Sequence, residues 1–146
     1  MRALLHIAKA YETDPKQLVK ADEIAKAHDL PIKFLEGILT TLRTAGIILS
    51  QRGADGGYRL AHAPKDITVA RVVRALDGPL AAVRGERPEE VEYAAPADHL
   101  KDVWVATRAA LRNVLESVTL HDILVGELPK SVKPLLEEPG AWNRRI

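Results

Sequence analysis

The chain contains no cysteine. That absence excludes disulfides, thiolate zinc sites, all-cysteine iron–sulfur clusters and thiol nucleophiles. Aromatic residues are scarce at 4% of the chain, so the core must be built from aliphatic side chains. No run approaches the roughly 18 apolar residues of a membrane span, and the start of the chain lacks the apolar stretch and small-residue cleavage site of a secretion signal. A cytoplasmic protein with no membrane contact is expected. The five histidines, His6, His28, His62, His99 and His121, are scattered, without the serine and carboxylate neighbours of a triad. No catalytic residue is assigned, and an enzyme is not expected.

What is present fits one compact domain with an added oligomerising element: 146 residues, 47% of them hydrophobic. The net charge of +1 conceals an asymmetry, since residues 1–75 carry 12 Lys/Arg against 8 Asp/Glu and residues 76–146 carry 9 against 12. A basic N-terminal half suits phosphate contact through counterion release, although so modest an excess does not by itself imply DNA binding.

The most informative stretch is RTAGIILSQRGADGGYRL, residues 43–60. Ile38, Leu39 and Leu42 lie at helical spacing, and Gly46 follows as a residue able to take the left-handed conformation that ends a helix. Ile47, Ile48 and Leu49 are β-prone. Gly53, Gly56 and Gly57 then supply a reversal before Tyr58, Arg59 and Leu60 resume extension. Upstream, residues 2–11 form a helix that Asp14-Pro15 breaks. Residues 21–28 form a short helix, and Pro31 suits the first position of the next. Helix, turn, helix and hairpin in that order define a winged helix-turn-helix, whose second helix enters the DNA major groove. The glycine-rich turn is a poor nucleotide loop: it lacks the Lys-Ser/Thr ending and precedes a strand where a phosphate loop would open a helix. Because winged helices also serve as protein-interaction modules, an adaptor without specific DNA binding is the alternative.

Thr68 is placed to cap a helix over residues 69–77, with Val72, Val73 and Leu76 inward and Gly78-Pro79 as its stop. Residues 84–97 read as a polar linker that does not pack deeply and as the possible effector region. Beyond it, Leu100, Val103, Trp104, Leu111, Val114, Leu115 and Val118 form one apolar stripe on a helix over residues 98–118, roughly 30 Å long. A helix of that length buries its stripe most readily in a twofold dimer. Thr119 caps a short final helix, and a partly ordered tail follows. The expected organisation is thus 1–83 winged helix-turn-helix domain, 84–97 linker, 98–128 dimerisation helix with the short helix after it, and 129–146 tail. The fold class is mainly α with a small β-hairpin.

Three groups of residues together resemble the Rrf-type family of bacterial transcription regulators, which includes the IscR, NsrR and CymR groups. They are Phe34-Leu35-Glu36 with Leu39, Leu42 and Arg43; Arg52-Gly53 with Gly56-Gly57-Tyr58-Arg59-Leu60; and Ile67-Thr68-Val69 leading to Leu76-Asp77-Gly78-Pro79-Leu80. The similarity spans about residues 3–125. It implies a homodimeric regulator on near-palindromic promoter sites, acting as a repressor on double-stranded DNA.

By the same resemblance Pro31, Ile32, Lys33, Phe34, Glu36 and Gly37 face the major groove, and Arg52 enters the minor groove. Arg43, Tyr58 and Arg59 complete the DNA-binding set. Glu36 can select cytosine, and Gly37 stands where relatives often carry a base-reading glutamine. The family carries a short segment before its first helix that is absent here, which implies either an upstream start or fewer backbone contacts. Cluster-binding members place three cysteines in the region of residues 83–97, where this chain has none. No cofactor or metal is therefore expected, and Asp98, His99 and Asp102 read as solvated residues at a helix start. Cysteine-free members resemble the group controlled by a metabolic enzyme. That likeness implies a small-molecule or protein effector acting on the linker and long helix, in a pocket between residues 76–83 and Trp104.

Overall fold

A computed structural model describes residues 1–144. Seven helices and one hairpin follow in chain order: α1 (Arg2–Thr13), α2 (Ala21–His28), α3 (Ile32–Thr44), β1 (Ile48–Gln51), β2 (Gly57–Leu60), α4 (Val69–Asp77), α5 (Leu100–Leu115), α6 (Leu120–Val125) and α7 (Lys133–Glu137). A 3₁₀ turn at Pro64–Asp66 joins β2 to α4. The fold is mainly helical, with β1 and β2 antiparallel in a register that pairs Ile48 with Leu60 and Gln51 with Gly57.

The core is aliphatic, as the shortage of aromatics requires. In α1, Ala3, Leu4, Ile7 and Ala8 are buried, and they meet Ile24, Leu35, Leu39 and Leu42 of α2 and α3 with Ile48 and Leu60 of the hairpin. Asp14, just before Pro15, is extended and ends α1. α3 ends in a Schellman arrangement: the Ile47 N–H donates to the Leu42 carbonyl and the Gly46 N–H to that of Arg43, both at 3.0 Å. Gly46 takes φ 66°, a conformation that suits glycine and turns the chain directly into β1.

Local details depart from the expectations at several places. Pro31 is the N-cap of α3, and the helix begins at Ile32. In α4 the buried residues are Ala70 and Val72, while Val73 and Leu76 are half-buried. The Thr68 cap is present, its hydroxyl accepting from the Arg71 N–H at 3.2 Å.

The long helix is shorter than residues 98–118. Its 16 residues span about 24 Å, and Val118 lies beyond its end. Val118 is buried within its own chain, where its carbonyl accepts from the Val69 N–H at 2.8 Å and Thr68 bridges Thr119. That clip returns α6 to the N-terminal half, where Leu120 joins the core and His121 Nδ1 lies 3.0 Å from the Glu12 carboxylate. α6 therefore packs with the winged helix, because Leu120 finds its apolar partners there.

The linker also packs more than its polarity suggests. Pro88 is buried, Glu89 pairs with Arg108, and Glu92 pairs with Lys101 at 2.8 Å, folding residues 84–97 back along α5. Within the tail, α7 is a formed helix preceded by the buried Val132. Residues 145–146 of that tail lie outside the described residues.

Candidate nucleic-acid interface

A groove of about 570 Å³ runs between the N-terminus of α2, the outer face of α3 and the wing. Ile32, Glu36 and Arg43 line it from α3, Arg52 and Tyr58 from the hairpin, and Lys20 and Asp22 from the start of α2. Five of the ten residues expected to meet DNA thus share one concave surface. Pro31, Lys33, Phe34 and Gly37 are exposed on α3 or its cap but outside that groove, and Arg59 is half-buried on the wing.

Each position follows from local folding. Leu35, Leu39 and Leu42 bury one face of α3, which turns Lys33, Glu36, Gly37 and Arg43 outward. Phe34 is 60% exposed, an unusual state for a large apolar ring. Ile32 is half-buried and packs against the core, so only part of it faces outward. Gly37 leaves open space: a methyl group there would meet no atom within 4 Å.

The wing is held by backbone contacts. Tyr58 exchanges two hydrogen bonds with Val19, its N–H donating at 2.8 Å and its carbonyl accepting at 2.9 Å, so the segment before α2 forms a third edge to the hairpin. This approach requires glycine next door, because a Cβ on Gly57 would sit 2.7 Å from the Val19 carbonyl oxygen. Arg43 Nη1 donates to Ser50 Oγ at 3.4 Å, linking the last turn of α3 to β1.

The cations on this surface lack ion-pair partners: among the described residues, none of Lys20, Lys33, Arg43, Arg52 and Arg59 takes part in an ion pair. In contrast, Arg74 near the end of α4, and Arg87, Lys101 and Arg108 of the later half, are all paired with glutamates. Lys20, Ser50 and Gln51 were not singled out from sequence, and all three line the groove. A lysine immediately before the first helix of a helix-turn-helix was the available signal for Lys20, since that helix crosses the DNA backbone. Behind the groove, His6 Nδ1 lies 3.3 Å from His28 Nε2 and joins α1 to α2. Burial, with the His6 and Arg2 charges adding to it, holds the His28 imidazole below its ordinary pKa.

A helix-turn-helix with an attached β-hairpin and unpaired cations along α3 and the wing defines a DNA-binding winged-helix regulator. Comparison with known proteins agrees. Residues 1–126 match the Rrf2 family, described as iron-dependent transcriptional regulators. A Mycobacterium tuberculosis protein named as an HTH-type transcriptional regulator is 42% identical over 138 residues, 94% of this chain and 84% of that protein. The regulator CymR of Bacillus subtilis is 35% identical over 120 residues, 82% of this chain and 80% of its own. The solved structure of B. subtilis CymR, the global cysteine regulator, superposes with a TM-score of 0.67 at 33% identity, covering 84% of this chain and 88% of that one. T. potens IscR gives 0.65 at 32% identity, covering 86% and 80%. The chain belongs to the Rrf2 family of transcriptional regulators, a family of DNA-binding proteins and not of enzymes.

The family's iron does not fit this donor set. With no cysteine, a cluster would need several histidine or carboxylate ligands. Among the described residues no group of three or more His, Asp or Glu side chains could hold a metal ion. His99 lies 3.6 Å from Asp98 and 3.7 Å from Asp102, but its side chain is 90% exposed, as expected of solvated residues at a helix start. No helix of the described residues is long and apolar enough to cross a membrane.

Proposed function

We propose that this regulator acts as a homodimer on a near-palindromic promoter site and represses transcription from it in the cytoplasm. One observation carries the reading: α3 and the wing share a groove, and the cations around it take part in no ion pair among the described residues. With α3 in the major groove, Lys33 is positioned to reach phosphate or guanine and Glu36 to accept from cytosine N4, while Phe34 offers its ring to a thymine methyl. Arg52 is drawn to the negative potential of a narrow minor groove.

The apolar face of α5 supports the dimer. Every residue of that helix keeps partial exposure, with Val103 at 54%, Leu111 at 40% and Leu100 at 36%. Trp104, Val114 and Leu115 are half-buried along it. Leu111, Val114 and Leu115 also line an apolar groove with Leu135 beside α7. A second copy laid along this face would remove that surface from water.

An effector, small molecule or protein, fits the junction of α4, residues 84–97 and α5. Gly78, Pro79 and Leu80 line a cavity there as expected, but the opposite wall is formed by arginines of α5 and not by Trp104. Trp104 instead turns its indole Nε1 inward.

The test is selection of bound duplexes from a random DNA library, with the enriched sequence followed by fluorescence anisotropy at two salt concentrations. A palindrome with half-sites about one helical turn apart is expected, with affinity falling as salt rises and with loss of binding in the Lys33→Ala, Arg52→Ala double variant. The exposed Phe34 favours a second reading, a protein-binding wing domain. Absence of duplex binding at low salt selects it.

A further inference from the structure

We infer that the cavity between α4, the 84–97 connection and α5 is a binding site for a small polyanion carrying at least two phosphate or carboxylate groups. It holds about 400 Å³, within the usual size of a metabolite pocket. Four guanidinium groups from three separate elements line it: Arg74 in the last turn of α4, Arg87 in the connection, and Arg108 and Arg112 one turn apart on α5. Glu89 is the one acid on its wall.

The cations outnumber their partners. Arg74 pairs with Glu116, Arg108 with Glu89, and Arg87 with Glu90 at 3.9 Å, whereas Arg112 takes part in no ion pair among the described residues. One positive charge is therefore left over in a partly enclosed space. The Arg108 side chain is only 11% exposed, so water screens it poorly. Each guanidinium offers five N–H donors in a planar fork, and a single carboxylate leaves several of them unused. Two anionic groups on one ligand would satisfy this array, one reaching Arg112 and the other the Arg74 or Arg87 side. An apolar ligand would meet little beyond Pro79 and Leu80.

The position gives the site a consequence for DNA, and this part rests on the dimer reading above. α4 is tied to the end of α3 by Arg71, whose Nη2 donates to the Gly46 carbonyl at 3.2 Å. α5 carries the face assigned to the second copy. An anion spanning Arg74 and Arg112 fixes α4 against α5, and with it the separation of the two α3 helices that half-site spacing demands.

Isothermal titration of the full chain with pyrophosphate and with citrate, at ionic strength held constant by chloride, tests the proposal. Saturable binding of at least one probe, one per chain, is expected. Arg112→Gln and Arg74→Gln should each weaken it about tenfold, the effect of losing one charge-assisted contact. Arg112 is unpaired, so its variant should keep the native circular dichroism. The Lys33→Ala, Arg52→Ala variant should retain the anion binding, which separates this cavity from a phosphate site on the DNA face.

No heat beyond the chloride control with either probe overturns the proposal, as does equal affinity in Arg112→Gln or loss of binding in the DNA-face variant. Anisotropy on the selected duplex, with and without the probe, distinguishes the two readings. Anion binding without DNA binding refutes the proposed function and leaves the cavity standing. DNA binding without anion binding refutes the cavity alone. Anion binding that leaves DNA affinity unchanged refutes the coupling.

Discussion

Arg71 Nη2 donates to the carbonyl of Gly46 across 3.2 Å, so the helix that follows the wing holds the turn that ends α3. The contact is part-buried and charge-assisted, and its loss leaves a carbonyl of the helix cap without that donor. Arg71→Ala is expected to cost about 1–2 kcal/mol, lowering Tm by about 2–4 °C for each kcal/mol in a chain of this size. Thermal unfolding followed by circular dichroism measures it, and an unchanged Tm would mean that the contact carries no weight.

Gly37 sits in the middle of α3 with open space where a side chain would stand. Gly37→Ala should stabilise the protein by roughly 0.5–1 kcal/mol, because alanine loses less backbone entropy on entering a helix. On the proposed DNA-binding mode the same methyl group would alter the preferred half-site. Urea unfolding and a repeat of the duplex selection measure both effects. A destabilised variant would show that the helix is more crowded there than the open space indicates.

Gly57→Ala should do the reverse. Its Cβ would press within 2.7 Å of the Val19 carbonyl oxygen and part the paired bonds between Val19 and Tyr58. Faster hydrogen exchange at both amides is the expected signature, with a stability loss of about 1–3 kcal/mol typical of a disrupted backbone approach. Native exchange rates at Val19 and Tyr58 in the variant would contradict the assignment.

Thr119 and Asp122 form a reciprocal capping box at the start of α6. Thr119→Ala should cost about 1 kcal/mol. The Thr119 backbone N–H, and then its hydroxyl, hold the Asp122 carboxyl below its ordinary pKa. A carboxyl with a depressed folded pKa adds stability above its unfolded value of about 4, and loses it as pH falls through the folded value. The wild-type chain should therefore lose more stability than Asp122→Asn between pH 7 and pH 3, roughly the window of that titration. Urea midpoints at the two pH values settle the comparison, and equal losses would remove Asp122 from the acid limb.

Leu111→Glu places a charge at an exposed apolar position of α5. Sedimentation is expected to show a monomer with native circular dichroism, and affinity for a full palindromic site should fall more than affinity for a half-site. A dimer that survives this variant would put the second copy on another face.

Much of the winged helix was legible in the chain because its signals are local. The bounds of α2 and α4 follow from hydrophobic periodicity with the Thr68 cap and the Gly78-Pro79 stop. The hairpin follows from Gly46 and the glycines around the turn. Where local signals compete, the bounds moved: Pro31 serves equally well as a cap or as a first helical residue, and tertiary pairing of Val118 with Val69 ended the long helix early. Ile32, which the resemblance pointed to, does line the groove, while the core draws part of it inward.

The absence of cysteine and the order of helix, helix and hairpin were properties of the sequence alone. They depend on composition and on spacing along one element, which the chain carries explicitly. The grouping of Lys20 with Arg43 and Arg52, and of Arg74 with Arg87, Arg108 and Arg112, was decided only by the tertiary structure. Those charges lie on different elements, and packing angles set by a nonpolar core determine which of them meet.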